Sequence, residues 1–380
     1  RRPQPSPRRR RLKPRRLQQT PSFPPTDMTQ ELTPFLKELL SLPGLSGYEG
    51  PAREAIAAVW KPLVDEITTS KVGSLHALRR GSGAAPRPRI LLSAHMDAIG
   101  LMVTGILGGL LRFTQIGGVD PRILPGQPVT VHGREALPGV VVSPPDALLP
   151  ARLQGKPVDM EYLFVDTGLL PDDVKKMVRV GDLISFAQEP LDLAGDALAG
   201  HSLDNRASVA ALTHCLQELQ HMQHSWDVYA VASAQEETAL LGAFTSPFDI
   251  RPDLAVAIDV TFAKGPGAGD HRAHPMGKGA ALGYGPNIHP FLYKAFKDLA
   301  DRLDIPTLMD VMPSHSGTDG YAMQVVAEGI PTMVISIPLR YMHTPVEVVA
   351  LKDITRTGQL MAEFISRLEP DFMSKLTWED

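Results

Sequence analysis

The sequence predicts an α/β protein whose sheet domain is interrupted by a small β-barrel or sandwich. Three observations predict it. Short apolar runs alternate with segments of helical periodicity before about Gly100, and the same alternation returns after Gly200. Between the two, residues 101–193 are rich in Gly, Pro and Val, with strand-like pieces separated by turn signals at near-regular intervals. The side chains able to do chemistry fall where the predicted strands of the α/β part end. The chain thus divides into a basic tail over 1–27, a sheet domain over 28–100 and 194–380, and an inserted β module over 101–193.

The elements follow in order. Leu32, Phe35, Leu36, Leu39 and Leu40 recur at helical spacing, and Pro43-Gly44-Leu45-Ser46-Gly47 stops that helix. Ala52–Val64 reads as a second helix, and Arg89–Ala94 as a buried strand ending at His95. Within the insertion, Leu110–Gln115, Val129–His132, Val140–Ser143, Leu163–Asp166 and Leu183–Phe186 read as strands. Beyond it come a helix over Asp204–Gln220 and strands over Val228–Ala234 and Leu254–Val260. Helices over Phe291–Leu303 and Gly320–Ala327, a strand over Thr332–Ile337 and a closing helix over Val348–Leu368 complete the pattern.

Composition bounds the function. The 380 residues are 43% hydrophobic and 21% charged, a globular balance that excludes wholesale disorder. No apolar run reaches the roughly 18 residues a membrane-spanning helix needs. A single cysteine, Cys215, excludes an intramolecular disulfide, fits a reducing, cytoplasmic setting, and leaves metal binding to His and carboxylates. Nine basic residues precede Met28 against one acid, whereas 29 basic and 41 acidic residues follow, a net of −12 that repels nucleic acid.

The tail holds seven prolines and can neither pack a core nor hold a helix. A basic arm for phosphate surfaces and a targeting signal both compete for it, although no apolar stretch follows the arginines. The favoured reading is a disordered extension ahead of a start at Met28.

His95 and Asp97 follow strand Arg89–Ala94, Glu236 and Glu237 follow Val228–Ala234, and Asp259 lies in Leu254–Val260. His343 follows the strand Thr332–Ile337, and Asp204 begins the helix after the insertion. Ligands of open α/β sheets sit at the carboxyl ends of strands, so these five segments can share one crevice. Two imidazoles and three carboxylates suit Zn²⁺, Co²⁺ or Mn²⁺, and five ligands hold two ions if one carboxylate bridges. Two such ions acidify a shared water and polarise a carbonyl, and Glu236, beside a ligating Glu237, is free to take the proton. Singly each residue has a blander reading: a satisfied strand-end histidine, a solvated Glu-Glu pair, Asp204 as a helix N-cap. His-x-Asp weighs more, because a carboxylate often orients a metal-bound imidazole. Cys215 reads as core. His214, His221 and His224 read as surface residues, and His271 and His274 as parts of a Gly-rich loop without ligand spacing.

Several strings together resemble the M42 family of metallo-aminopeptidases, of TET, glutamyl or deblocking type. They are Ala94–Gly100 (AHMDAIG), Ser202–Arg206 (SLDNR), Gln235–Glu237 (QEE), Ala257–Thr261 (AIDVT), Gly285–Pro290 (GPNIHP), Ser316–Asp319 (SGTD) and Arg340–Glu347 (RYMHTPVE). Gly117–Arg122 (GGVDPR) adds one from the insertion. The resemblance spans about Met28 to Leu368. It implies His95, Asp204 and Asp259 as ligands of one metal, and Asp204, Glu237 and His343 as ligands of the other, with Asp204 bridging. It implies Glu236 as general base, Asp97 orienting His95, peptide substrates, and a zinc-exopeptidase-like domain carrying an inserted dimerisation domain. It also implies homodimers assembled into a hollow tetrahedral dodecamer. Ala98 stands where the family usually carries an acid, Phe262 where His is common, and Thr238-Ala239-Leu240 where Val-Gly-Leu is usual. None of these removes a ligand or the base.

Two other functions compete. A metal-independent glycoside hydrolase, an endoglucanase label borne by some relatives, uses paired carboxylates but no imidazoles. A non-catalytic scaffold has no use for Glu236. The insertion contains none of the candidate ligands and is expected to stand apart from the chemistry, its apolar strands Val129–Val131 and Val140–Val142 covered by a second copy.

Overall fold

The computed structural model describes residues 28–269 and 272–378, so the expectations for the 1–27 tail and for His271 lie outside the described residues. An 11-stranded sheet carries the α/β part. At its centre run parallel strands in the order Asp227–Ser233, Arg89–His95, Leu254–Phe262 and Thr332–Arg340. They are almost wholly buried, which is why they read as unbroken apolar runs. Helices Leu203–Leu219 and Leu351–Ser366 pack on one another and on these strands, and Leu241–Ile250 with Asp319–Met323 forms a separate covering pair.

Antiparallel strands extend both edges. Leu75–Arg79 and then Glu66–Thr69 flank Asp227–Ser233. On the other side Glu347–Ala350, Ala197–Gly200 and Leu191–Leu193 follow Thr332–Arg340. Ala280–Tyr284 branches from Thr332–Arg340 and carries Thr307–Val311.

The insertion closes into a six-stranded barrel ordered Gly100–Leu107, Leu110–Ile116, Phe164–Asp166, Ala136–Val142, Pro128–His132 and Leu183–Phe186. Closure buries Val129, Val131 and Val141 within the chain itself, leaving Val140 39% exposed. The cover expected from a second copy is therefore supplied by the barrel, because joining its edge strands gives every inward side chain a neighbour.

Other differences have physical reasons. The chain over Val348–Leu368 is a strand, Glu347–Ala350, followed by a helix from Leu351. The β-branched pair Val348-Val349 finds a partner in Ala197–Gly200, which outweighs helical continuity. Strands Glu66–Thr69, Leu75–Arg79, Ala280–Tyr284 and Thr307–Val311 are only four or five residues long, so they leave little local signal. The helix Leu241–Ile250 contains Pro247, which masks it in the sequence. Cys215 is core as expected, but His214 and His224 are buried rather than on the surface. Among the described residues no helix is long and apolar enough to cross a membrane.

Arg206 ties the first helix to the edge of the site. It is fully buried, and its guanidinium donates to the carbonyls of Leu39, Leu42 (2.7 Å) and Met96 (3.3 Å). Burial pulls it down to about 10, with Asp97 opposing, so it stays charged at neutral pH. Arg206→Ala strands these carbonyls and opens a cavity. It should cost on the order of 3–5 kcal/mol, read as a lowered urea midpoint of the metal-free protein.

Candidate active site

The carboxyl ends of the central parallel strands deliver the first side chains. His95 closes its strand; the register sets Ser233 beside it, and Glu236 and Glu237 follow after a sharp turn at Gln235. Asp259 lies in the strand on the other side. Four non-glycine residues at the site, Ser202, Gln235, Tyr341 and His343, hold φ near +60°. Such backbone costs about 1–3 kcal/mol each and gathers where geometry is fixed for function.

Asp204 lies between the two imidazoles. Its Oδ1 is 3.2 Å from His95 Nε2 and its Oδ2 is 3.5 Å from His343 Nε2. It caps no helix amide, so the N-cap reading fails. His343 Nε2 is also 3.5 Å from Glu237 Oε2, and His95 Nε2 is 3.8 Å from Glu236 Oε2 and 3.9 Å from Asp259 Oδ1. Two groups among the described residues bring three donor atoms within 4.8 Å: His95, Asp204, Glu237 and His95, Glu236, Asp259. His343 stands across Asp204 from His95, and its side chain is 40% exposed. Asp97 places its carbonyl 3.1 Å and its carboxylate 3.5 Å from His95 Nδ1. The same carboxylate accepts the amides of Glu236 (3.0 Å) and Glu237 (3.1 Å).

The electrostatics follow from burial. Exclusion from water pushes Glu236 up to about 10, opposed by His95 and reinforced by Asp259. It also drives Glu237, Asp259 and Glu347 well above the carboxylate range, with Asp204 adding to each. Burial alone would depress His95, yet Glu236 and the acids around it hold it well above the ordinary value. Asp204 is the exception: burial would raise it, but the imidazoles of His343 and His95 hold it low. The cluster thus has more carboxylates than two imidazoles can balance, a deficit that a bound metal cation could offset. Nitrogen and carboxylate oxygen donors in this mixture fit Zn²⁺, Co²⁺ or Mn²⁺.

Sequence reasoning missed the residues that brace this cluster. Glu347, buried, accepts the amide of Asp204 at 3.0 Å and that of His343 at 2.9 Å. Asp319 Oδ2 accepts the hydroxyls of Ser93 (2.6 Å) and Ser233 (2.5 Å) on the adjacent strands that lead to His95 and Glu236. Glu49 Oε1 accepts the amides of Gly47 and Gln235. The available signal was a lone acid beside an apolar run, as Glu347 is before Val348-Val349. The insertion does not stand apart either: Gly117 and Gly118 lie against Glu237 and His343. A cleft of about 800 Å³ opens over the cluster, walled in part by Phe262, Met309, Val311, Tyr321 and the hydrogen-bonded pair His274–Asp310.

The sequence profile of the M42 glutamyl aminopeptidase family matches residues 73–360. The chain belongs to the M42 family. A lysyl aminopeptidase of Pyrococcus furiosus is 36% identical over 344 residues, covering 88% of this chain and 97% of the relative. A TET aminopeptidase from a marine sediment archaeon of the Thaumarchaeota superposes with a TM-score of 0.87 at 29% identity, over 92% of this chain and 100% of that one. The TET1 peptidase of Pyrococcus horikoshii, which can assemble into a tetrahedron or a large octahedral shell, superposes with a TM-score of 0.77 at 29% identity, over 89% and 100%. This M42 protein is accordingly an aminopeptidase, a peptidase hydrolase of a metal-dependent family.

Glu347→Gln turns an amide NH₂ toward one of the two backbone N–H groups that the carboxylate accepts. Braces of this kind carry about 10–100-fold in affinity or activity. The variant should lose aminopeptidase turnover by that factor while its circular dichroism matches the parent.

Proposed function

We propose that this chain is a two-metal aminopeptidase that releases N-terminal residues from peptides, with Glu236 as general base. The observation that carries the reading is the Asp204 carboxylate, which offers one oxygen to each imidazole's side of the cluster. His95 and Asp259 complete one donor set with Asp204, and Glu237 and His343 the other. Bound there, Zn²⁺, or Co²⁺ or Mn²⁺, would polarise the scissile carbonyl and acidify the attacking water.

The chain's own groups do the rest. Asp97 holds the Glu236 and Glu237 amides with its two oxygens, which separates the free carboxylate from the ligating one. Glu236, with a side chain 10% exposed, is near enough to the cleft to take a proton from water and return it to the leaving amine once the charge of bound cations holds its carboxyl ionised. The cleft's volume suits a peptide end rather than a folded surface.

Glu236→Gln should retain both metals by elemental analysis yet lose roughly 10²–10⁴-fold in turnover of aminoacyl chromogenic substrates. Most of the parent activity surviving would sink the assignment. Dialysis against a chelator should abolish peptidase activity; activity on a glucan that survives the chelator would favour the glycosidase instead.

Self-assembly belongs to the same proposal. The barrel exposes Leu107, Leu148, Leu170 and Val180, each more than half exposed, on a family background in which the Pyrococcus horikoshii TET1 peptidase forms closed shells. Apolar groups of this size favour cover by a symmetric copy. Light scattering after size exclusion should give dimers or a multiple of them, a dodecamer by likeness; a fully active monomer of 41.2 kDa would refute it.

A further inference from the structure

The strand Leu110–Ile116 of the barrel pairs its last residue, Ile116, with Gly100, five residues after His95. The next two residues touch the site. A Cβ at Gly117 would lie 3.3 Å from Glu237 Oε2, and one at Gly118 would lie 2.8 Å from His343 Nδ1 and 3.2 Å from its Cε1. The turn cannot easily withdraw. Val119 is buried in the barrel's core, Asp120 accepts the amide of Arg122 to cap Pro121–Ile123, and Leu124 is fully buried. Gly118 therefore presents bare backbone, fixed from the barrel side, against the ring of His343. That ring is 40% exposed and has room to swing outward.

We propose that Gly118 is a positioning residue: its missing side chain leaves the space in which the His343 imidazole lies turned toward Asp204 and Glu237, so the inserted barrel sets the second donor set. The inference rests on His343 being a ligand. Gly118 has an ordinary φ, unlike Gly117 at +72°, so alanine fits its backbone. The added methyl meets only a movable ring. The folded chain can relax by rotating His343 away, but a rotated ring no longer meets Asp204 and Glu237. The cost falls on metal binding and not on folding.

The test is calorimetric titration of the metal-free full chain with Zn²⁺ alone, for the parent, Gly118→Ala and His343→Ala. Gly118→Ala should keep one tight site, weaken the second about 10–100-fold, and leave the metal-free melting temperature unchanged. Parental zinc binding in Gly118→Ala beside a lost site in His343→Ala overturns the inference and spares the ligand assignment. Equal weakening of both sites, or a lowered metal-free melting temperature, also overturns it, because the methyl then acts on the fold. Two tight sites in His343→Ala would instead overturn the ligand assignment.

Discussion

Negative charge crowded into a site that water scarcely reaches is the constraint on which the rest of this molecule depends. Asp97, Asp204, Asp259, Asp319 and Glu347 are all below a tenth exposed, and Glu236 and Glu237 lie beside them. Left alone, such a set would protonate or drive its segments apart. The fold answers with backbone amides, serine hydroxyls and two imidazoles, each aimed at a particular oxygen. What those groups leave unbalanced is the charge that a metal cation could offset.

The braces show a division of labour. Asp97 and Glu347 each use both oxygens to accept two backbone amides, and in each case the amides belong to a pair of site residues. Asp319 works one layer down, joining the strands that end in His95 and Ser233 through hydroxyls. Gly320 lets its helix come close enough for this, since a Cβ there would lie 2.6 Å from Val334 Cγ2. The parallel sheet supplies register, and the carboxylates convert register into fixed side-chain positions.

The barrel is part of the same construction. Its chain leaves the sheet directly after His95 and Asp97, and its second strand returns Gly117 and Gly118 to Glu237 and His343. A module with its own core therefore borders the site on one side, while the apolar cleft over Phe262, Met309 and Val311 borders it on another.

The sequence by itself determined the α/β class, the interrupting β module, the buried central strands and the seven residues that the structure gathers into one cluster. Those follow from local pattern: strand-length apolar runs, helical spacing, and acids and histidines placed where runs end. Only the tertiary structure decided the rest. The edge strand Thr307–Val311 exists because Ala280–Tyr284, across an intervening helix, hydrogen-bonds to it. Glu347 is a brace because Asp204, 143 residues away, brings its amide to it. Asp204 became a bridge between imidazoles rather than a cap, and His214 on the helix and His224 beyond its end went inside, because the surroundings and not the local sequence choose what each side chain meets. Gly118 shows the limit most plainly: nothing about a glycine in a turn announces the histidine ring 225 positions later against which its missing side chain makes room.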